Sequence, residues 1–180
     1  MRAPPLPHIE ARRLESLWSS KLLDSPQEER FDRITRTATR LFSVPIAMVS
    51  LVDKDRQWFK SVVGLPVRQT PRDVSFCGHA ILERDIFVVE DALKDSRFID
   101  NPLVVDAPNI RFYAGCPVHD VDGLPFGTLC IIDTKPREFS REDCSALSDL
   151  AAMVESEIAI SMLAAEAEFL DGTSDHLGMP

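Results

Sequence analysis

The run RFYAGCPVHDVDGLPFGTLCIID, from Arg111 to Asp133, limits the possible folds more than any other stretch. Apolar and β-favouring residues fill two arms around Asp122-Gly123, a dipeptide that tolerates the left-handed backbone of a tight turn. The second arm, Phe126 to Ile132, carries no charge, which fits a strand at the centre of a sheet and not at its edge. Pro45 introduces another such run, Ile46 to Val52, continuous in apolar residues and therefore expected to be buried on both faces. Asp53-Lys54-Asp55 turns the chain into a further strand, Gln57 to Val63, closed by Gly64. A brief strand is expected at Ile86 to Glu90.

Helical periodicity brackets this β-rich middle. Leu14, Leu17, Trp18 and Leu22 form one stripe of a first helix from Ile9 to Leu22. Ser25-Pro26-Gln27-Glu28 carries a helix-start pattern, a capping serine with proline in the first turn and glutamate three residues on. Phe31, Ile34, Ala38 and Leu41 mark the buried face of the second helix. Ser75 stands as cap for a short helix in SFCGHAILE, and the loop Leu65–Val74 shows no period. Ser140-Arg141-Glu142-Asp143 opens a last helix whose stripe runs Leu147, Ala151, Val154, Ile158, Met162, Ala165 and Phe169. The prolines of residues 1–8 read as disorder, residues 9–169 as one domain, and residues 170–180 as a coil tail. The sum is an α+β fold, an antiparallel sheet with its terminal helices packed on one face.

A net charge of -9 argues against a nucleic-acid groove, which needs a basic face. The longest apolar runs fall short of a membrane span, and residues 1–13 have no secretory core, so the cytoplasm is the expected compartment. Cysteines at 77, 116, 130 and 144 contain no C-x-x-C pair and suggest neither a structural zinc site nor a disulfide framework. Cys116 and Cys130 are equidistant from Gly123, so a hairpin centred there sets them opposite one another; core packing and a redox couple are the two readings of that pair.

Leu23–Asp24 with Glu29-Arg30-Phe31-Asp32, then PIAMVSLVD, RQWFKSVVG, SFCGHAI, RFYAGCPV and FGTLCIID, resemble a bacterial GAF domain over residues 22–160. The resemblance implies a six-stranded antiparallel sheet with N- and C-terminal helices on one face and a ligand pocket on the other. It also implies a regulatory, non-catalytic module that binds a small molecule and signals to a kinase or cyclase output partner. Under it, Trp58, Phe76, Cys77, His79, Asp91, Phe98, Arg111 and Tyr113 are the candidate ligand-binding residues. No catalytic set, metal site or cofactor is assigned. Homodimerisation is expected through Leu14, Trp18 and Leu22 of the first helix and Val154, Ile158 and Met162 of the last.

Two other readings stay open. One is a dimerisation module with a vestigial pocket. The other is a thiol enzyme or redox sensor using Cys77 or Cys116, such as a free methionine-(R)-sulfoxide reductase, although Asp91–Asn109 has no cysteine to serve as its nucleophile. The bilin-binding and cyclic-nucleotide-binding patterns of the family are missing, because Gly78 separates Cys77 from His79 and no N-K-F-D-E-type motif occurs.

Overall fold

The structure is a computed structural model describing residues 1–174, without the side chains of Glu168, Phe169 and 171–174. Its helices and strands, in chain order, are α1 (Glu10–Ser19), α2 (Glu29–Phe42), β1 (Ile46–Val52), β2 (Arg56–Val63), β3 (Gln69–Pro71), α3 (Phe76–Ala80), β4 (Phe87–Val89), α4 (Pro102–Val105), β5 (Phe112–His119), β6 (Pro125–Asp133) and α5 (Arg141–Ser174). One six-stranded sheet runs β3-β2-β1-β6-β5-β4, and every neighbouring pair is antiparallel. Among the described residues, no helix is long and apolar enough to cross a membrane.

The period-two alternation of strands divides the core into two layers. Ala47, Val49 and Leu51 of β1, with Leu129 and Ile131 of β6, face α1, α2 and α5. Ile46, Met48 and Val52, with Cys130 and Ile132, face the opposite side, where α3 and the loops close over the sheet. This is the α+β arrangement that the resemblance implies, with the terminal helices on one face. Gly127 shows how close the two central strands come, because a Cβ there would lie 1.8 Å from the Ser50 carbonyl oxygen.

Local differences from the sequence patterns have identifiable causes. Ser25 does not cap α2: its hydroxyl donates to Leu22 O and accepts from Lys60 Nζ, so the helix begins at Glu29. Lys60 sits at a register shift between β1 and β2, which buries its ammonium beside Ser25, Pro26 and Glu28. At α5 the capping box does form, with Asp143 N donating to Ser140 Oγ and Ser140 N to Asp143 Oδ2, each at 3.0 Å. Edge strand β3, inside the proline-bearing loop, has no periodicity to betray it. Residues 1–8 carry no helix or strand until the turn at His8, yet Arg2 N donates to Arg97 O at 3.0 Å and Pro4 packs on Gly78. Helix α5 continues through Ser174, past the expected coil boundary at 170, and residues 175–180 lie outside the described residues.

The six residues expected at a subunit contact divide. Leu14, Leu22, Val154 and Ile158 are buried within the protomer, Met162 packs at the edge of the same core, and Trp18 is exposed, donating to Asp53 Oδ1 at 2.9 Å. The stripe that α1 and α5 share with the sheet is used up internally, so those four buried residues are unavailable to a second subunit.

A buried charge cluster docks α1 onto the sheet. Arg13, fully buried, donates to Val52 O at 2.6 Å and binds Glu10 through Nε and Nη2, each at 2.9 Å. Arg72 reaches the same carboxylate and donates to Asp53 O at 3.0 Å. Burial alone would raise the Glu10 carboxyl; the hydrogen bonds and charges of Arg13 and Arg72 outweigh it and hold it at about 2. A carboxyl depressed on folding stabilises fully above its ordinary value of 4.5, and that stabilisation is lost as pH falls toward 2. Glu10→Gln, leaving two guanidinium groups short of their anion, is expected to cost about 3 kcal/mol near neutral pH. It should also flatten the acid limb of the stability curve, both effects measured by urea unfolding across that pH range.

Candidate functional site

On the face away from the terminal helices lies a cavity of about 410 Å³. Its floor is Met48 of β1, Gln57 and Phe59 of β2, Tyr113 of β5 and Ile132 of β6. Phe76 and Cys77 of α3 form one wall, Leu103, Ala107, Pro108 and Ile110 another, and Gly64–Val67 with Thr70 the rim. No lining residue carries a charge. The polar groups are few and mostly joined: Gln57 accepts from Ser50 Oγ at 3.2 Å and donates to Thr70 Oγ1 at 2.6 Å.

Each wall is held in place by identifiable bonds. Ser75 Oγ accepts from Gly78 N at 2.6 Å and starts α3 where the sequence pattern places it. Buried Asn101 donates to Val74 O at 2.9 Å and accepts from Leu103 N at 2.9 Å, tying the α4 loop to the residues before α3. Arg111 Nη1 donates to Val104 O and Ile110 O, at 2.8 and 2.9 Å, which closes the same loop from its other end.

At the floor, Cys77 Sγ lies 3.8 Å from Cys130 Sγ, and Tyr113 Oη donates to Cys77 Sγ at 3.4 Å. Gly115 makes this possible: a Cβ there would lie 2.2 Å from Tyr113 Oη, so only glycine lets the phenol ring lie along the strand toward the sulfurs. Burial opposes charge on either thiol. Cys130 and Tyr113, with the hydroxyls of Thr128 and Ser50 nearby, outweigh it at Cys77 and hold that thiol below its ordinary value. Burial and the neighbouring Cys77 push Cys130 up. Burial likewise raises Tyr113, which stays a neutral donor.

The cavity gathers three of the eight candidate residues, Phe76, Cys77 and Tyr113. Phe98 stands behind the wall, stacked on Phe76 with ring centroids 4.0 Å apart. His79 does not line the cavity but is buried beside Phe98, ring centroids 5.1 Å apart; its Nε2 bonds to Arg2 O at 3.0 Å, and burial lowers its pKa. Trp58 lies on the helix side of the sheet, and its neighbour Phe59 takes the cavity position. Arg111 does not line the cavity; its guanidinium is occupied by the loop carbonyls. Asp91 borders a separate, wide surface groove of about 1040 Å³, where it pairs with Lys94 at 3.3 Å, and Asp95 pairs there with Arg97 at 2.5 Å. That groove is larger, but Asp91 with Lys94 and Asp95 with Arg97 are already paired, and Lys94 is exposed to solvent. Gln57, Met48 and Ile110 are among the lining residues that sequence patterns did not single out for the site.

Gly115→Ala is expected to destabilise the chain by about 1–3 kcal/mol, because the new methyl meets the Tyr113 ring. In a Tyr113→Ala background the same substitution should cost much less, a coupling that a double-mutant cycle in urea would measure.

Comparison with known proteins places the fold. Residues 26–158 match the model of the GAF domain family. A cyclic di-GMP phosphodiesterase of Pseudomonas aeruginosa is 43% identical over 159 residues, 88% of this chain. The chain spans 27% of that relative's length. Among solved structures, the GAF domain of an Acinetobacter phosphoenolpyruvate-protein phosphotransferase superposes with a TM-score of 0.59 at 21% identity, covering 87% of this chain and 96% of the other. A free methionine-R-sulfoxide reductase of Neisseria meningitidis, solved with its substrate, gives 0.61 at 20% identity, covering 92% and 99%. At these identities the two structures establish the fold alone.

Proposed function

The chain belongs to the GAF domain family, and on that premise we propose that it is a non-catalytic sensory module of bacterial signalling whose cavity takes a small, uncharged metabolite. The observation that carries this reading is the cavity itself, walled by two tied-down loops and lined without a single charged side chain. Such a lining favours a mostly apolar occupant with one hydrogen-bonding group directed at Gln57 or Thr70. It disfavours phosphates, which need cationic or backbone donors to replace water. Cyclic di-GMP, the substrate named for the Pseudomonas relative, therefore belongs in this reading to the output side of the pathway and not to this cavity. In place of the kinase or cyclase output expected earlier, the proposed output is cyclic-dinucleotide turnover, supported by that 43% identity. The compartment is the cytoplasm.

Transmission runs through the sheet to α5. A ligand shifts the equilibrium only by its differential affinity for two arrangements of the walls, and the helices report which one prevails. We place the dimer contact on a second stripe of α5, Met153, Ile160 and Leu163, all exposed and spaced seven and three apart as in a two-stranded coiled coil. It lies on a different side of the helix from the stripe buried in the protomer.

Two measurements test the reading. A thermal-shift screen of uncharged metabolites should find a compound that, at a hundred times its dissociation constant, raises Tm by about 5–10 °C. The shift should vanish in Leu103→Trp, which fills the cavity; a library without a stabilising compound argues against the sensory role. Light scattering should give a dimer at micromolar concentration, and Ile160→Asp with Leu163→Asp should give a folded monomer.

A further inference from the structure

Cys77 and Cys130 form a thiol pair that the sensory reading leaves unused. Their sulfurs lie 3.8 Å apart, buried, one on α3 and the other on β6. A disulfide bond of about 2.05 Å requires an approach of roughly 1.7 Å. That movement falls to α3, a five-residue helix joined by loops at both ends, because Cys130 is fixed between β1 and β5. Access comes through the cavity to Cys77, which lines it, while Cys130 does not line it and is reached across the 3.8 Å between the sulfurs. The same burial keeps out protein thiols and bulky disulfides, and the uncharged lining disfavours ionic oxidants.

We infer that Cys77 and Cys130 are a peroxide-oxidised dithiol, converted to a disulfide by a small uncharged hydroperoxide that enters the cavity. Cys77 loses its proton and its sulfur attacks the terminal peroxide oxygen. An S–O bond forms as the O–O bond breaks, and the departing alkoxide or hydroxide takes up the proton. Cys130 sulfur then attacks Cys77 sulfur; the S–S bond forms, the S–O bond breaks, and the hydroxide leaves as water with the Cys130 proton. Two thiols give up two electrons, and the hydroperoxide accepts them to become an alcohol, or water, plus one further water. Tyr113, donating to Cys77 Sγ, stabilises the attacking sulfur as its charge develops. Cys116 is on the helix side of the sheet, and burial pushes its thiol up to about 11, which leaves it a slow competitor.

The inference rests on the geometry of the sulfurs, not on the identity of the cavity's occupant. Its test is the folded full chain exposed to hydrogen peroxide, then denatured, alkylated and mapped by mass spectrometry. Expected is one intramolecular Cys77–Cys130 disulfide, reversed by dithiothreitol and formed roughly tenfold or more faster than any loss of the Cys116 or Cys144 thiols. Cys130→Ser should stop the reaction at a Cys77 sulfenic acid trapped by dimedone, and Cys77→Ser should leave Cys130 reduced. A disulfide joining any other pair overturns the inference, as does oxidation confined to Cys116 and Cys144. If either serine variant fails to fold, the map of the unmutated chain decides alone. A failed metabolite screen leaves this result untouched, and a failed peroxide reaction leaves the screen untouched.

Discussion

Strands β1 and β6 lie side by side at the centre of the sheet, and every residue of both is buried. That pairing is the constraint on which both faces of the molecule depend. With a period of two and both faces covered, each strand sends alternate residues to the helices and to the cavity, so one register assigns both cores at once. Gly127 against the Ser50 carbonyl pins that register, since no larger residue fits between the strands. A slip of one position would carry Met48 and Cys130 into the helix layer and Val49 and Leu129 into the cavity.

The same rule separates what the sequence revealed from what it concealed. Uninterrupted apolar runs announced β1 and β6, and local capping chemistry announced α3 and α5, because each signal is complete within a few residues. Face assignments depend on pairing, which is not local. Trp58 and Phe59 were bound to point oppositely, but nothing in RQWFKSVV says which of them meets the helices until β2 is aligned on β1, with its shift at Lys60. The hairpin gives the sharper case. Centred on Gly123, it would set Cys116 against Cys130; a shift between Val118 and His119 pairs Gly115 with Cys130 and Cys116 with Leu129. One residue of offset sends the two cysteines to opposite faces and leaves Cys77, distant in sequence, as the partner of Cys130.

The walls of the cavity were less legible still. Residues 91–110 have no period, and their order comes from polar side chains bonding to backbone: Asn101 to Val74 and Leu103, Arg111 to Val104 and Ile110. Arg111 was expected among the ligand-binding residues. Its donors instead satisfy carbonyls that a buried loop would otherwise leave unpaired. Treating buried polar side chains as candidate loop ties before treating them as ligand contacts would have removed Arg111 and favoured Gln57.

Fold membership and chemistry are separate inferences, because one fold hosts many sites. The GAF fold is shared here with proteins named for sulfoxide reduction and for phosphotransfer, so what this chain recognises must be read from its own lining. That lining is neutral, and its most reactive atoms are the Cys77 sulfur and the Tyr113 phenol, with the Cys130 sulfur 3.8 Å from that of Cys77. Each of the three is placed by a feature of the central sheet: Cys130 by the register of β6, Tyr113 by the gap at Gly115, and Cys77 by the α3 cap packed over both. Chemistry at that floor and occupation of the cavity above it would act on α3 together, since Cys77 and Phe76 belong to the same short helix. In the proposed reading, a metabolite resting on Phe76 and a bond drawn from Cys77 would be two ways of moving one wall, and that wall, α3, packs on β5 and β6, the same strands that α5 packs against.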